Sequence, residues 1–145
     1  MKKILLLFVL AGLVFSTNAC KKKECPKPEV RGAGTWDATK IVDPNGQELD
    51  PAAYPAVACY LTDEMVLNKD HNGTSWVYPY YDSNASTCTP YNLTVSSWAE
   101  NLDKNKLYVT ATYQGTDYDF GFTYASKTEF YQEFSGGYKE YYEKQ

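Results

Sequence analysis

Residues 106–142 read KLYVTATYQGTDYDFGFTYASKTEFYQEFSGGYKEYY, and their pattern decides the fold. Between Tyr118 and Ala125, the side chains of Tyr118, Phe120, Phe122 and Tyr124 alternate with Asp119, Gly121 and Thr123. In an extended chain that period of two makes one face aromatic and the other polar or small. Leu107, Val109, Ala111 and Tyr113 share a face within Lys106 to Gln114, and Phe130 and Phe134 share one within Thr128 to Phe134. Gly115-Thr116, Ser126-Lys127 and Ser135-Gly136-Gly137 divide these runs, and Tyr138 to Tyr142 closes the series. Short alternating runs punctuated by turn residues predict an antiparallel meander.

Working back toward the N-terminus, the same texture continues. Thr35 to Asp43 alternates and stops at Pro44-Asn45-Gly46, where Gly46 tolerates the positive φ of a turn. A loop with Pro51 and Pro55 follows. Glu64 to Asp70 and Ser75 to Asp82 flank Asn72-Gly73, a pair suited to the primed turns that match strand twist. A polar loop from Asp82 to Tyr91 precedes a fourth strand, Leu93 to Trp98, and Asn101 to Asn105 forms the next turn. The count reaches about eight strands, with no helical periodicity. Eight up-and-down strands with one apolar face close into a barrel whose interior is filled by side chains or holds one small ligand. An open β-sandwich is the alternative.

The ends of the chain carry different instructions. Lys2 and Lys3, the apolar run Ile4 to Phe15 and the polar Ser16 to Ala19 have the layout of a signal peptide over residues 1–19. That run is shorter than the roughly 18 residues of a spanning helix. Thr17-Asn18-Ala19-Cys20 resembles a lipobox of the looser form seen in Bacteroidota, which implies cleavage before Cys20 and attachment of fatty acyl chains, palmitate among them, to its sulfur. Simple cleavage after Ala19 is the alternative. Residues 20–31, with Pro26 and Pro28 and scarcely an apolar side chain, read as a disordered basic tether.

Charge follows the same divisions. The leader carries +2, residues 20–31 carry five basic and two acidic groups (+3), and residues 32–145 carry seven and sixteen (−9), giving the net −4 of the whole. An acidic domain repels phosphate backbones, which argues against nucleic acid as a partner, while the basic tether suits anionic lipid headgroups. An exported chain meets oxidising conditions, so Cys59 and Cys88 become candidates for a disulfide, against the alternative of two buried thiols. With Cys20 acylated, Cys25 is left over; without acylation, four cysteines allow three pairings.

Gly34-Thr35-Trp36 at the start of the first strand, the Cys59 and Cys88 pair around the second and third, and the four-strand closing meander resemble the lipocalin-like domains of small Bacteroidota lipoproteins. The resemblance covers residues 32–145. It implies an all-β barrel in which Trp36 closes one end.

Chemistry-bearing motifs are sparse. His71 sits in a turn without evident partners, and Asp117, Asp119, Glu129 and Glu133 read as a solvated outer face rather than paired acids. No Gly-x-Ser-x-Gly, Cys-x-x-Cys or phosphate-cradling loop occurs. The expectation is therefore a non-enzymatic protein with no catalytic residue, metal or cofactor. It binds a small apolar or aromatic molecule against Leu107, Val109, Tyr118, Phe120, Phe122 and Tyr124. It is anchored to the outer membrane through Cys20, on the periplasmic face by preference over the cell surface. The rival expectation is an envelope lipoprotein with a packed barrel that meets another protein or a glycan through surface tyrosines such as Tyr80 and Tyr81. All 14 tyrosines lie in the β domain, where strand propensity also favours them.

Overall fold

The computed structural model describes residues 30–71 and 74–145. The leader, Cys20, Cys25 and the Asn72-Gly73 turn lie outside the described residues. Eight antiparallel strands form a closed barrel in sequence order: β1 (Gly34–Val42), β2 (Glu64–Leu67), β3 (Thr74–Asp82), β4 (Thr87–Asn101), β5 (Lys106–Tyr113), β6 (Thr116–Tyr124), β7 (Glu129–Glu133) and β8 (Lys139–Lys144). β8 returns to pair with β1, from Trp36 opposite Lys144 to Val42 opposite Lys139. Register shifts between Ala38 and Lys40 and between Val95 and Ser97 insert extra residues. Such bulges bend strands, and bending is what closure requires.

The β5–β6 turn is Gln114-Gly115, both at positive φ, with Tyr113 opposite Thr116; it falls one residue earlier than the sequence reading placed it. Two larger corrections concern the segment around the cysteines. Residues Pro55–Tyr60 form a short helix, α1, where a loop was expected; Pro55 stands in its first turn, where a missing N–H costs nothing. Six residues are too few to display a helical period. β4 also begins at Thr87 rather than Leu93, because Thr87 to Asn92 pair in register with Asp82 to Val77.

α1 has a structural reason. β2 pairs with β3 only at Glu64–Val77 and Met65–Trp76, so the rest of β3 has no strand on that side. α1 packs along β3 and covers it. The Cys59–Cys88 disulfide ties α1 to the start of β4.

The core is continuous from the base of the barrel upward. Trp36, Met65, Leu67, Trp76, Val95, Leu107, Val109, Ala111, Phe122, Phe130 and Tyr142 are buried to within a few per cent. At the base, the Trp36 indole N–H donates to the Gly32 carbonyl at 2.7 Å. Its ring lies 4.2 Å from that of Phe130. From β8, Lys144 places its ammonium over the Trp36 ring and donates to the Arg31 carbonyl at 3.0 Å. Gly34 makes room for it: a Cβ there would come within 2.6 Å of Lys144 Cε, and its φ is +144. Gly32 N–H donates to Glu100 Oε1, which also accepts from the Tyr124 hydroxyl. Val30, two residues before Gly32, also packs against the core.

The disulfide spans 29 residues. Closing a loop of that length stabilises by about 3.5 kcal/mol on the chain-entropy model. Reduction, or Cys59→Ser with Cys88→Ser, is expected to lower Tm by roughly 10–20 °C for a domain of this size. Circular dichroism melts with and without reductant measure it, and an unchanged Tm would refute the stabilising role.

Candidate functional site

The main buried cluster fills the base and waist of the barrel; toward the other end, where α1 and the β7–β8 turn sit, the interior opens. The gradient is visible along one strand. On the inward face of β6, Tyr124 and Phe122 are buried, Phe120 is half-buried and Tyr118 is 47% exposed. The alternation that made these four residues a single face carries no information about depth.

Two lobes occupy the open mouth. The first, about 290 Å³, is lined by Ile41, Leu49, Tyr60, Tyr78, Phe134 and Tyr138. The second, about 320 Å³, is lined by Tyr78, Tyr91, Leu93, Tyr113, Tyr118 and Phe120. Tyr78 belongs to both and forms the partition. Its ring lies edge-on to Trp76 at 5.6 Å, and Trp76 meets Phe120 edge-on at 4.5 Å. Tyr91 and Tyr113 pack in the same way at 5.2 Å. The walls are thus rigid aromatic surfaces with hydroxyls at their tips, supported from below by fully buried rings.

Of the residues singled out for lining, Tyr118 and Phe120 line the second lobe. Leu107, Val109, Phe122 and Tyr124 belong to the packed core beneath it. Trp36 sits at the opposite end, at the base. Tyr80 stands at the rim, 49% exposed, and Tyr81 is opposite Cys88 and only partly exposed. His71 stacks on Trp98 at 4.1 Å with Nδ1 3.0 Å from the Trp98 carbonyl, a local packing role at the base. Asp119 accepts from Thr110 at 2.8 Å, Asp117 likewise accepts from Thr112, and Glu129 pairs with Lys40 at 2.9 Å.

Below the first lobe lies a feature the sequence did not disclose. Asp63 and Glu140 are 2% and 1% exposed. Asp63 directly precedes β2, and its carboxylate accepts from Trp76 Nε1 at 2.6 Å. The Tyr142 hydroxyl lies 3.1 Å from Asp63 Oδ2 and 2.9 Å from Glu140 Oε2. One hydroxyl has one proton and can donate to only one of these carboxyls. The other contact must be a donation from a protonated carboxyl to the tyrosine oxygen. Burial pushes Asp63 up to about 7, against the lowering effect of the bonds from Trp76 and Tyr142. Burial, reinforced by the neighbouring Asp63 charge, pushes Glu140 up to about 8. At least one of the two carboxyls therefore carries a proton, and Tyr142 links Glu140 to Asp63, which also accepts from Trp76. Burial pushes Tyr142 itself well above the ordinary tyrosine value.

The signal for Glu140 in the sequence is faint. Lys139 to Lys144 reads KEYYEK, in which either face carries one tyrosine and one glutamate. Only the register, Glu140 opposite Ile41 on one side and Gln132 on the other, turns Glu140 and Tyr142 inward.

A carboxyl whose folded value lies above its unfolded one holds a proton that the unfolded chain has already released. Stability from Asp63 and Glu140 is therefore complete below about pH 4 and is lost as pH rises through about 7 to 8. Glu140→Gln cannot ionise, and it is expected to flatten the decline in unfolding free energy between pH 5 and 8.5. Urea titrations of both proteins across that range measure the difference; parallel curves would refute the assignment.

No protein-family model matches the chain, and no curated protein matches it. A solved structure of a lipocalin-like protein from Bacteroides uniformis ATCC 8492 is similar over 79% of this chain and 99% of its own, at 11% identity and a TM-score of 0.44. That likeness is one of fold; the eight-stranded barrel itself rests on the strand registers.

Proposed function

We propose that this domain is a non-enzymatic binding barrel whose open mouth takes a small apolar or aromatic molecule, held at the outer membrane by acylated Cys20. The observation that carries the reading is the pair of aromatic lobes sharing Tyr78 above a packed core. Ligand sites in barrels are concave and mostly apolar, with a few placed polar groups. Tyrosine provides such walls at low conformational cost, because its ring buries apolar area while its hydroxyl stays wet.

Anchoring rests on the leader and the Cys20 motif. Among the described residues no helix is long and apolar enough to cross a membrane. Two or three acyl chains, at about 0.8 kcal/mol per buried CH₂, hold a domain on a bilayer without further contacts. Lysines directly after Cys20 suit the periplasmic face of the outer membrane, with cell-surface display as the alternative. A second reading, an envelope protein that meets a protein or glycan partner, is favoured by Tyr54, Tyr80, Tyr108, Tyr118 and Tyr138, each 42% exposed or more.

N-phenyl-1-naphthylamine, a neutral apolar dye, is expected to brighten on binding and to quench tryptophan emission, since Trp76 lies directly behind the mouth. Phe120→Ala opens the second lobe and should weaken the dye about tenfold, the loss of roughly 1.4 kcal/mol of aromatic contact. No brightening with the wild type would favour the second reading. Intact mass of the membrane-extracted protein checks the anchor. A chain starting at Cys20 with added acyl mass is expected, and a soluble chain without it would overturn that part.

A further inference from the structure

From the strand pairings we infer that the uncovered edge of β6 at the mouth takes an extended basic peptide by strand addition, seating an aromatic side chain of that peptide in the second lobe. This inference rests on the proposed reading of the mouth as a binding site and names what carries the bound ring.

The edge follows from register. β6 pairs with β5 from Thr116 opposite Tyr113 to Thr123 opposite Lys106. With β7 it pairs only from Phe122 opposite Gln132 to Tyr124 opposite Phe130. In an antiparallel ladder the backbone groups of successive residues point to opposite sides. The Tyr124 N–H bonds the Asn105 carbonyl, next to β5, and the Ala125 N–H bonds the Glu129 carbonyl of β7. The odd-numbered residues of β6 therefore face β7. Thr123 meets Tyr131 there, but Asp117, Asp119 and Gly121 have no strand opposite, so three N–H and three C=O groups line an open edge.

That edge is uncovered. Thr116, Asp117, Tyr118, Asp119 and Gly121 are all exposed, and a Cβ at Gly121 would meet nothing within 4 Å. Two other free lengths of strand are blunted: α1 packs on β3, and the part of β4 that outruns β5, Thr87 to Leu93, contains Pro90, which has no N–H to donate. An unpaired edge is a template for a further strand, in which main-chain bonds give affinity and pockets for alternate side chains give specificity. The second lobe supplies the pocket. Tyr118 and Phe120, the inward residues of this same length of β6, line it. A residue of an added strand that lies opposite either one points to the same face, its Cβ about 5 Å away. Its side chain thus enters the mouth beside the two rings.

Charge selects the occupant. Residues of the added strand opposite Asp117 and Asp119 point outward, beside two carboxylates that Thr112 and Thr110 of β5 hold in place through Oδ1. Lysine or arginine at those positions meets opposite charge across the pair, which stabilises a ladder. A second copy of this chain fits badly. Antiparallel self-pairing centred on Asp119 sets that residue against its own copy, and pairing centred on Tyr118 sets Asp117 against Asp119; like charges directly opposed destabilise a pair. The pattern that fits is therefore basic, aromatic, basic, in an extended chain.

The probe is the end-blocked peptide Lys-Phe-Lys-Phe-Lys, titrated into the protein by calorimetry at low salt, with amide NMR on the complex. Binding is expected to shift the amide signals of Asp117, Asp119 and Gly121 and to slow their hydrogen exchange. N-methylation of the central lysine, whose N–H would face β6, should weaken the peptide about tenfold. Glu-Phe-Glu-Phe-Glu should bind several-fold more weakly, and so should the original peptide to the Asp117→Asn, Asp119→Asn double variant. Equal affinity of the N-methylated peptide, or no protection of the three amides, overturns strand addition. Equal affinity of the acidic peptide overturns the basic class. Protection of the same amides in a dimer without peptide assigns the edge to a second copy and overturns the choice of occupant. Failure of the peptide alone, with the naphthylamine dye still bound, overturns this inference and leaves the pocket reading standing; failure of both overturns both.

Discussion

Pairing of β8 with β1 is the constraint on which everything else depends. Once the meander closes, every strand has a neighbour on both sides over at least part of its length, and the hydrogen-bond register sets which side chains face the axis. Eight strands enclose a space that large side chains just fill. At the base they do fill it, with Trp36, Trp76, Phe122, Phe130 and Tyr142 stacked through edge and tilted contacts. Toward the mouth the strands are cut short on one side by the brevity of β2, and α1 stands in for the missing strand. A helix cannot continue a hydrogen-bond ladder. It needs another fastening, and the Cys59–Cys88 bridge provides one at the point where β3 would otherwise be an open edge.

The packed end and the open end divide the labour that one core performs in a filled barrel. Stability comes from the base, where Gly34 admits Lys144 across Trp36 and residues 30–33 close over the strand ends. That frees the mouth from packing duty. Its aromatic side chains are held by backbone register and, at Tyr78 and Phe120, by contact with the buried Trp76 ring below. Pre-formed walls lower the ordering cost of binding.

Much of this was legible. Alternation and turn residues placed all eight strands, because a period of two is a direct consequence of strand geometry and needs no tertiary information. Trp36 was readable through the resemblance carried by Gly34-Thr35-Trp36, and the two cysteines through the oxidising surroundings an exported chain meets. Depth was not. Phe120 and Phe122 are equivalent in the sequence, yet one lines a lobe and the other is sealed below it, since height along a barrel is set by stagger between strands. α1 was missed because six residues hide their period, and the β4 extension because Thr87 to Asn92 shows no apolar alternation and contains Pro90, which reads as a loop residue. Asp63 and Glu140 were illegible for a deeper reason: an acidic side chain in an acidic domain reads as solvent-facing, and only the register of β1, β7 and β8 brings these two inside.

Their burial is the least economical feature of the interior. An isolated carboxylate in so dry a place is strongly disfavoured, and burial raises both Asp63 and Glu140 while Tyr142 bridges them by hydrogen bonds. Leucine and phenylalanine at the same positions would fill the volume without that arrangement, and replacing buried polar groups by well-packed apolar ones is often stabilising. The carboxyls are therefore poor investments in stability. They lie at the boundary where the packed base gives way to the aromatic mouth. Hydrocarbon there would seal the boundary without fixing its partners; the hydrogen bonds through Tyr142 instead tie β8 to the segment that precedes β2, a specific link across the barrel.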